Sequence, residues 1–306
     1  MKIFITIIFC IGSLALVAQE DCRPQYGEPV KTIALSQGTV AYIEKGKGPV
    51  IIFIHGLGGN LSHWSKVSNQ LSAEYCCIIL DLPGYGRSGK ITGTNGRDQL
   101  QFYADAINEF LVRKKIRKAV LAGHSMGAQV AMITALQNKR VKKLVLAAPA
   151  GLETFSEKEA QLLEASTPAA VFEKQDEAVI RANFKMNFFQ QPADAESLIQ
   201  DRLRLKTCPD FSTYCEIVSK GVKGMLAHPV KNELKNIRQP TLILFGAKDA
   251  LIPNKFLHPS LTIDDLVSEA RGLLPVAQSR IIEGAGHMLP WEKSSEVAEA
   301  IKAFLQ

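Results

Sequence analysis

Ala119-Val120-Leu121-Ala122-Gly123-His124-Ser125-Met126-Gly127-Ala128 is the stretch on which the reading of this chain turns. Four apolar residues bounded by turn residues read as a strand buried on both faces. The alanine-rich run Met126–Leu136 reads as a helix. Between them stands Gly123-His124-Ser125-Met126-Gly127, a G-x-S-x-G pentapeptide. Such short patterns arise often by chance, so the force comes from the context. A serine on a strand-to-helix turn, flanked by glycines that let the backbone turn sharply, has its side chain pushed out above the sheet. The helix that begins there aims its free N–H groups and positive end at the same point. Ser125 is therefore the candidate nucleophile.

Outward from this turn, similar apolar runs recur at Val50–Ile54, Cys76–Leu80, Leu144–Ala147 and Thr241–Phe245, with a weaker one at Arg280–Ile282. Thr32–Leu35 and Val40–Ile43 flank Gln37-Gly38 and read as a hairpin. Helical periods lie between the runs, at Leu61–Leu71, Gln99–Val112, Met126–Leu136 and Val297–Leu305. Strands alternating with helices predict an α/β fold with a mostly parallel, doubly wound sheet. The alternation stops from residue 152 to 237, where only helical patterns occur. Ser156-Glu157-Lys158-Glu159 reads as a capping box, and Pro168 as the first position of another helix. The chain thus divides into a core, residues 30–151 and 238–306, and an all-helical lid, 152–237, over the carboxyl ends of the strands.

A serine hydroxyl needs a base to take its proton. His287, in Glu283-Gly284-Ala285-Gly286-His287, follows the last strand run on a loop that glycines allow to fold back. Asp249, just after Thr241–Phe245, is placed to orient that imidazole. Asp264 and Asp265 are alternatives, at a helix start where a carboxylate commonly serves as a cap. An oxyanion would be held by backbone N–H groups. Met126, after the nucleophile, offers one, and Leu57, in His55-Gly56-Leu57-Gly58-Gly59, offers another.

The order Ser125, Asp249, His287, the His55-Gly56 loop and Asp81-Leu82-Pro83-Gly84-Tyr85-Gly86-Arg87-Ser88 together resemble the α/β-hydrolase superfamily, in particular its lidded, esterase-like and carbon–carbon-hydrolase-like branch. The resemblance runs from about Thr32 to the end. It implies two-step hydrolysis by a Ser-His-Asp triad, with no metal or organic cofactor. A small apolar carboxylic ester is the expected substrate. Carbon–carbon bond hydrolysis, or a receptor-like role with little turnover, is the alternative. Serine at 125 disfavours the aspartate-nucleophile members. Two departures stand out: Ala128 replaces a further glycine, and the Asp249-to-His287 interval is long, carrying His258-Pro259 and Asp264-Asp265. Of the aromatic residues in the lid, Phe184, Phe188 and Tyr214 are the candidates for substrate contact.

The bulk numbers agree with an enzyme core. In 306 residues, 46% hydrophobic and 22% charged content suits a packed globular protein rather than a disordered one. A net charge of +6, scattered along the chain, argues against a nucleic-acid partner and leaves a small molecule as the expected one. Lys2 followed by the apolar run Ile3–Val17 and Ala18 reads as a signal peptide, residues 1–18. The run is short for a membrane span, so export to the periplasm or the outside, without a lasting anchor, is expected. Oligomeric state leaves no mark in the sequence. Cys10 departs with the signal, leaving Cys76, Cys77, Cys208, Cys215 and Cys22. Cys208 and Cys215 are close enough to pair, but small buried thiols are the favoured reading over any disulfide.

Overall fold

The computed structural model describes residues 21–89 and 98–306; the expected signal peptide lies outside the described residues. Eight strands form one sheet: β1 (Lys31–Leu35), β2 (Gly38–Lys45), β3 (Val50–Ile54), β4 (Cys76–Leu80), β5 (Ala119–His124), β6 (Val141–Ala147), β7 (Thr241–Gly246) and β8 (Ala277–Ile282). Their spatial order is β1-β2-β4-β3-β5-β6-β7-β8. β1, β2 and β4 pair antiparallel, and every pairing from β4 to β8 is parallel. The expected mostly parallel α/β sheet is what the chain forms.

The central strands explain themselves. β3 reads VIIFI and β5 reads AVLAGH, each buried almost throughout, because helices cover both faces. Those helices are α1 (Ser65–Leu71), α2 (Gln99–Arg113), α3 (Met126–Gln137), α9 (Ile263–Leu273), α10 (Leu289–Glu292) and α11 (Ser294–Leu305). α3 has ten of its twelve residues buried and no polar stripe, as befits a helix behind the sheet's centre. β8 reads AQSRII with Gln278 and Arg280 exposed, which is why its apolar signal is weak: it is an edge strand.

Between β6 and β7 lies a purely helical insert: α4 (Glu157–Ser166), α5 (Ala169–Glu173), α6 (Glu177–Met186), α7 (Glu196–Leu205) and α8 (Phe211–Ala227). Ser156 and Glu159 close a reciprocal capping box at α4. Pro168 departs from expectation: it is the N-cap of α5 with extended ψ of 155°, not its first helical residue. Asp176 caps α6 from outside, its side chain accepting from Val179 N–H, and Ala195 precedes α7.

The cysteine expectation is overturned. Cys22 and Cys208 form a disulfide across 186 residues of sequence, while Cys215 stays free and buried on α8. Cys208 sits in the turn ahead of α8, where the N-terminal segment crosses it and Arg23 pairs with Asp210. Cys215 points into the core instead. A contact between residues so far apart in sequence has no local signal. Cys76 is half-buried and Cys77 fully buried, as their opposite faces require.

Candidate active site

Ser125 is the N-cap of α3 and holds φ 53° and ψ −119°, a conformation strained for any side chain. The strain sits on the serine itself; Gly123 and Gly127 lack positive φ and are needed for another reason. A Cβ on Gly127 would stand 2.4 Å from the carbonyl oxygens of both Ile54 and His55. One on Gly123 would lie 2.3 Å from the carbonyl of Gly127. The glycines thus let α3 pack directly on the end of β3. The turn is pinned by Ser125 N–H donating to Ala147 (2.9 Å) and by Ala150 N–H returning to Ser125 (3.3 Å).

His287 and Asp249 come together from loops that follow neighbouring strands. His287 Nδ1 lies 2.8 Å from Asp249 Oδ2, with both side chains almost fully buried. Asp249 Oδ1 accepts from the N–H groups of Leu251 (2.8 Å) and Ile252 (3.0 Å). Burial works to raise the Asp249 pKa, but the His287 charge and hydrogen bond and the two backbone donors outweigh it, so the carboxyl is held below its usual value. Asp264 and Asp265 are not near this pair. They occupy the first turn of α9, where Asp265 closes a capping box with Thr262.

Three further buried histidines lie in this neighbourhood, and burial keeps them neutral. His55 Nε2 accepts from Leu82 N–H at 3.0 Å, so its Nδ1 carries the proton and donates to the Gly56 carbonyl at 2.8 Å. Burial lowers its pKa to about 4. His124 Nε2 donates to the His287 carbonyl at 3.0 Å, fixing the loop that carries His287. Its pKa falls to about 3, from burial first and the His287 charge second. His63 is likewise lowered, mainly by burial.

Ser125 and His287 share the wall of a cavity of about 390 Å³ that Leu57 also lines. Its apolar side is built by Phe155, Leu163, Val222, Met225, Leu251 and Ile252. Leu163, Val222 and Met225 belong to the helical stretch between β6 and β7. Met126 is the first residue of α3, and its N–H therefore has no acceptor within the helix. A second cavity, about 420 Å³ and lined by Tyr26, Lys45 and Trp291, lies away from Ser125. Its cations are already paired, Lys45 with Glu28 and Arg204 with Asp201. Size alone would favour it; chemistry favours the Ser125 cavity, which gathers the candidate nucleophile, the candidate base and an apolar wall.

The three aromatic candidates are not among the residues lining the Ser125 cavity. Phe188 packs with Ala195, Leu198, Met288 and Trp291 in a small separate cluster. Tyr214 is buried, with its hydroxyl donating to the Gly58 carbonyl at 2.9 Å. Phe184 lines an adjoining cleft of about 180 Å³, with Arg202 and Asn183, that shares Leu57, His63 and Met288 with the main cavity. Aromatic type in a helix gives no sign of which face will meet a cavity. Residues that do line it, His63, Gln129 and Leu251 among them, had no distinguishing local pattern.

The segment from Asp81 to Ser88 shapes the neighbourhood. Asp81 is fully buried and accepts from Leu61 N–H (2.8 Å), Arg87 N–H (2.8 Å) and the Tyr26 hydroxyl (2.7 Å). Burial raises its pKa to about 6, against the pull of those donors. Glu292 does similar work nearer His287: it accepts from Gly286 N–H (2.7 Å), Phe189 N–H (3.2 Å) and Gln190 N–H (2.6 Å), tying the His287 loop to the helical stretch.

Residues 49–294 match the alpha/beta hydrolase fold family. The chain is 28% identical over 263 residues to a dihydrolipoyllysine-residue acetyltransferase component of the acetoin cleaving system from Pseudomonas putida, a match covering 85% of this chain and 64% of that one. It thus spans slightly less than two thirds of that relative's length. It is 27% identical over 293 residues to Lipase 1 of Psychrobacter immobilis, covering 90% of this chain and 83% of the lipase. A thermophilic esterase from Thermogutta terrifontis superposes with a TM-score of 0.72 at 22% identity, covering 90% of this chain and 98% of the esterase.

Proposed function

Because the chain belongs to the alpha/beta hydrolase fold family, we propose that it is a serine hydrolase cleaving a small apolar carboxylic ester, with Ser125 as nucleophile, His287 as base and Asp249 as the acid that orients it. The observation that carries this reading is one cavity wall shared by Ser125 and His287, with His287 Nδ1 2.8 Å from Asp249. His287 Nε2 takes the Ser125 hydroxyl proton as Oγ attacks the ester carbonyl. The oxyanion is held by the N–H groups of Leu57 and Met126, at a helix N-terminus whose dipole favours negative charge. Collapse releases the alcohol, which leaves with the proton from His287. Water, deprotonated by the same imidazole, then frees the acid and regenerates Ser125. Leu163, Val222 and Met225 from the insert, with Phe155, form the acyl wall, so residues 152–237 serve as the cap. The chemistry requires no metal or organic cofactor.

Export is part of the proposal. The run at residues 1–18 acts as a signal peptide, and the Cys22–Cys208 disulfide supports an oxidising destination. Among the described residues no helix is long and apolar enough to cross a membrane.

The test is hydrolysis of a chain-length series of p-nitrophenyl esters by the mature protein, alongside Ser125→Ala. Turnover abolished in the folded variant supports the assignment; full activity in it rejects the assignment. Inactivity on every ester, with cleavage of a vinylogous diketone, would transfer the same residues to carbon–carbon bond hydrolysis.

A further inference from the structure

The long interval between Asp249 and His287 is anchored in an unexpected place. Glu153 stands at the root of the insert, just after Gly151, and is 7% exposed. Its two carboxylate oxygens each lie 3.0 Å from the N–H of Asn254, and Oε1 lies 2.5 Å from His258 Nδ1. The other ring nitrogen of His258 is 3.4 Å from Glu159 Oε1, on α4. Phe155 stacks on the imidazole, ring centroids 5.3 Å apart. Glu153 and Glu159 are the charged groups that meet His258.

The strap thus held is the one that carries the acid. Asp249 fixes its near end through the N–H groups of Leu251 and Ile252, and Asn254 Oδ1 accepts from Phe256 and Leu257 N–H (3.1 Å each). His258 N–H closes on the Asn254 carbonyl at 2.8 Å. Between the two fixed ends, Leu251, Ile252 and Asn254 face the Ser125 cavity, as do Glu153 and Phe155. A buried carboxylate is costly unless fully satisfied, and here its partners are all on the strap.

We propose that Glu153 and His258 are positioning residues: together they clamp the acid-bearing strap to the root of the insert, holding Asp249 against His287 and the strap's apolar wall against the acyl chain. The catalytic part of this rests on the Ser125 reading; the clamp itself does not. Without it, Asn254 N–H and His258 Nδ1 lose their partner, leaving only the longer Glu159 contact, and the strap can drift by the fraction of an ångström that matters at a reacting centre. Glutamine at 153 still offers an oxygen to Asn254 and an amide to neutral His258, so charge and placement can be separated.

The experiment compares wild type with E153A, E153Q, H258A and H258Q. It reads kcat and KM on a p-nitrophenyl ester, the pH profile of kcat/KM, and the downfield proton resonance of His287 Nδ1–H, which needs no substrate. E153A should lower kcat about tenfold or more with KM changed far less, shift the acid limb to lower pH, and broaden or move the resonance. E153Q should recover most of all three, and H258A should fall between, with H258Q recovering. Should E153A not fold, the H258A and H258Q pair decides alone. An unaltered resonance and pH profile in folded E153A or H258A, even with lowered thermal stability, overturns the proposal. So does E153Q behaving like E153A, which would mean charge rather than placement. A wild type inactive on every ester would sink the ester reading alone, and the resonance would still decide the clamp.

Discussion

Asp249 Oδ2 stands 2.8 Å from His287 Nδ1, while the backbone carbonyl of the same histidine receives His124 Nε2 at 3.0 Å. His124, beside Ser125, therefore holds the His287 backbone while the carboxylate holds its ring. Asp249→Asn would present an amide to Nδ1 and favour the wrong tautomer. We expect kcat to fall by about 10²–10⁴ with little change in KM, measured on the best p-nitrophenyl ester. Because Asp249 is held below the usual carboxylate range, the wild type should not lose this contribution at pH 5.

Ser125 stores strain at φ 53°. Ser125→Gly removes the Cβ that makes this conformation costly, whereas Ser125→Ala keeps it. Urea unfolding should find the glycine variant more stable than the alanine variant by about 1 kcal/mol, even after glycine's extra chain entropy is counted. Equal stabilities would show that the turn costs nothing to hold.

Val222 is half-buried on α8 and lines the apolar arm of the cavity. Val222→Trp should shorten the preferred acyl chain, leaving acetyl ester turnover within about threefold of wild type while longer chains lose tenfold or more. An unchanged chain-length profile would place the acyl group elsewhere.

The Cys22–Cys208 bond closes a loop of 186 residues. Cys22→Ser should cost about 2–5 kcal/mol, read as the loss in unfolding free energy under oxidising conditions. Reducing the wild type should reproduce that loss and leave the variant unaffected.

Burial raises the Asp81 pKa to about 6, above its unfolded value of 3.8. The folded state then binds the proton more tightly, so this group's contribution is complete below pH 3.8. It declines as pH rises to about 6, by at most about 3 kcal/mol. Wild-type stability measured relative to Asp81→Asn across pH 4–7 should fall in that direction. A rising difference would mean that the three donors outweigh burial.

The strands, the strand-to-helix turn at Ser125 and the purely helical stretch after β6 were legible because each rests on local pattern. Apolar runs mark strands buried on both faces, a glycine-flanked serine marks a strand-to-helix turn, and the loss of alternation after residue 152 marks the insert. Asp249 and His287 were singled out for the same reason, since each lies on the loop that follows a strand, and their meeting was decided by the fold. Tertiary structure alone decided that Phe188 and Tyr214 pack away from the cavity while Leu163 and Val222 line it. It alone joined Cys22 to Cys208 and brought Glu153 to His258 across 105 residues of chain. Periodicity tells which side chains are buried, but not which buried face meets a cavity, a partner thiol or a distant carboxylate. Those meetings depend on how elements far apart in sequence cross in space.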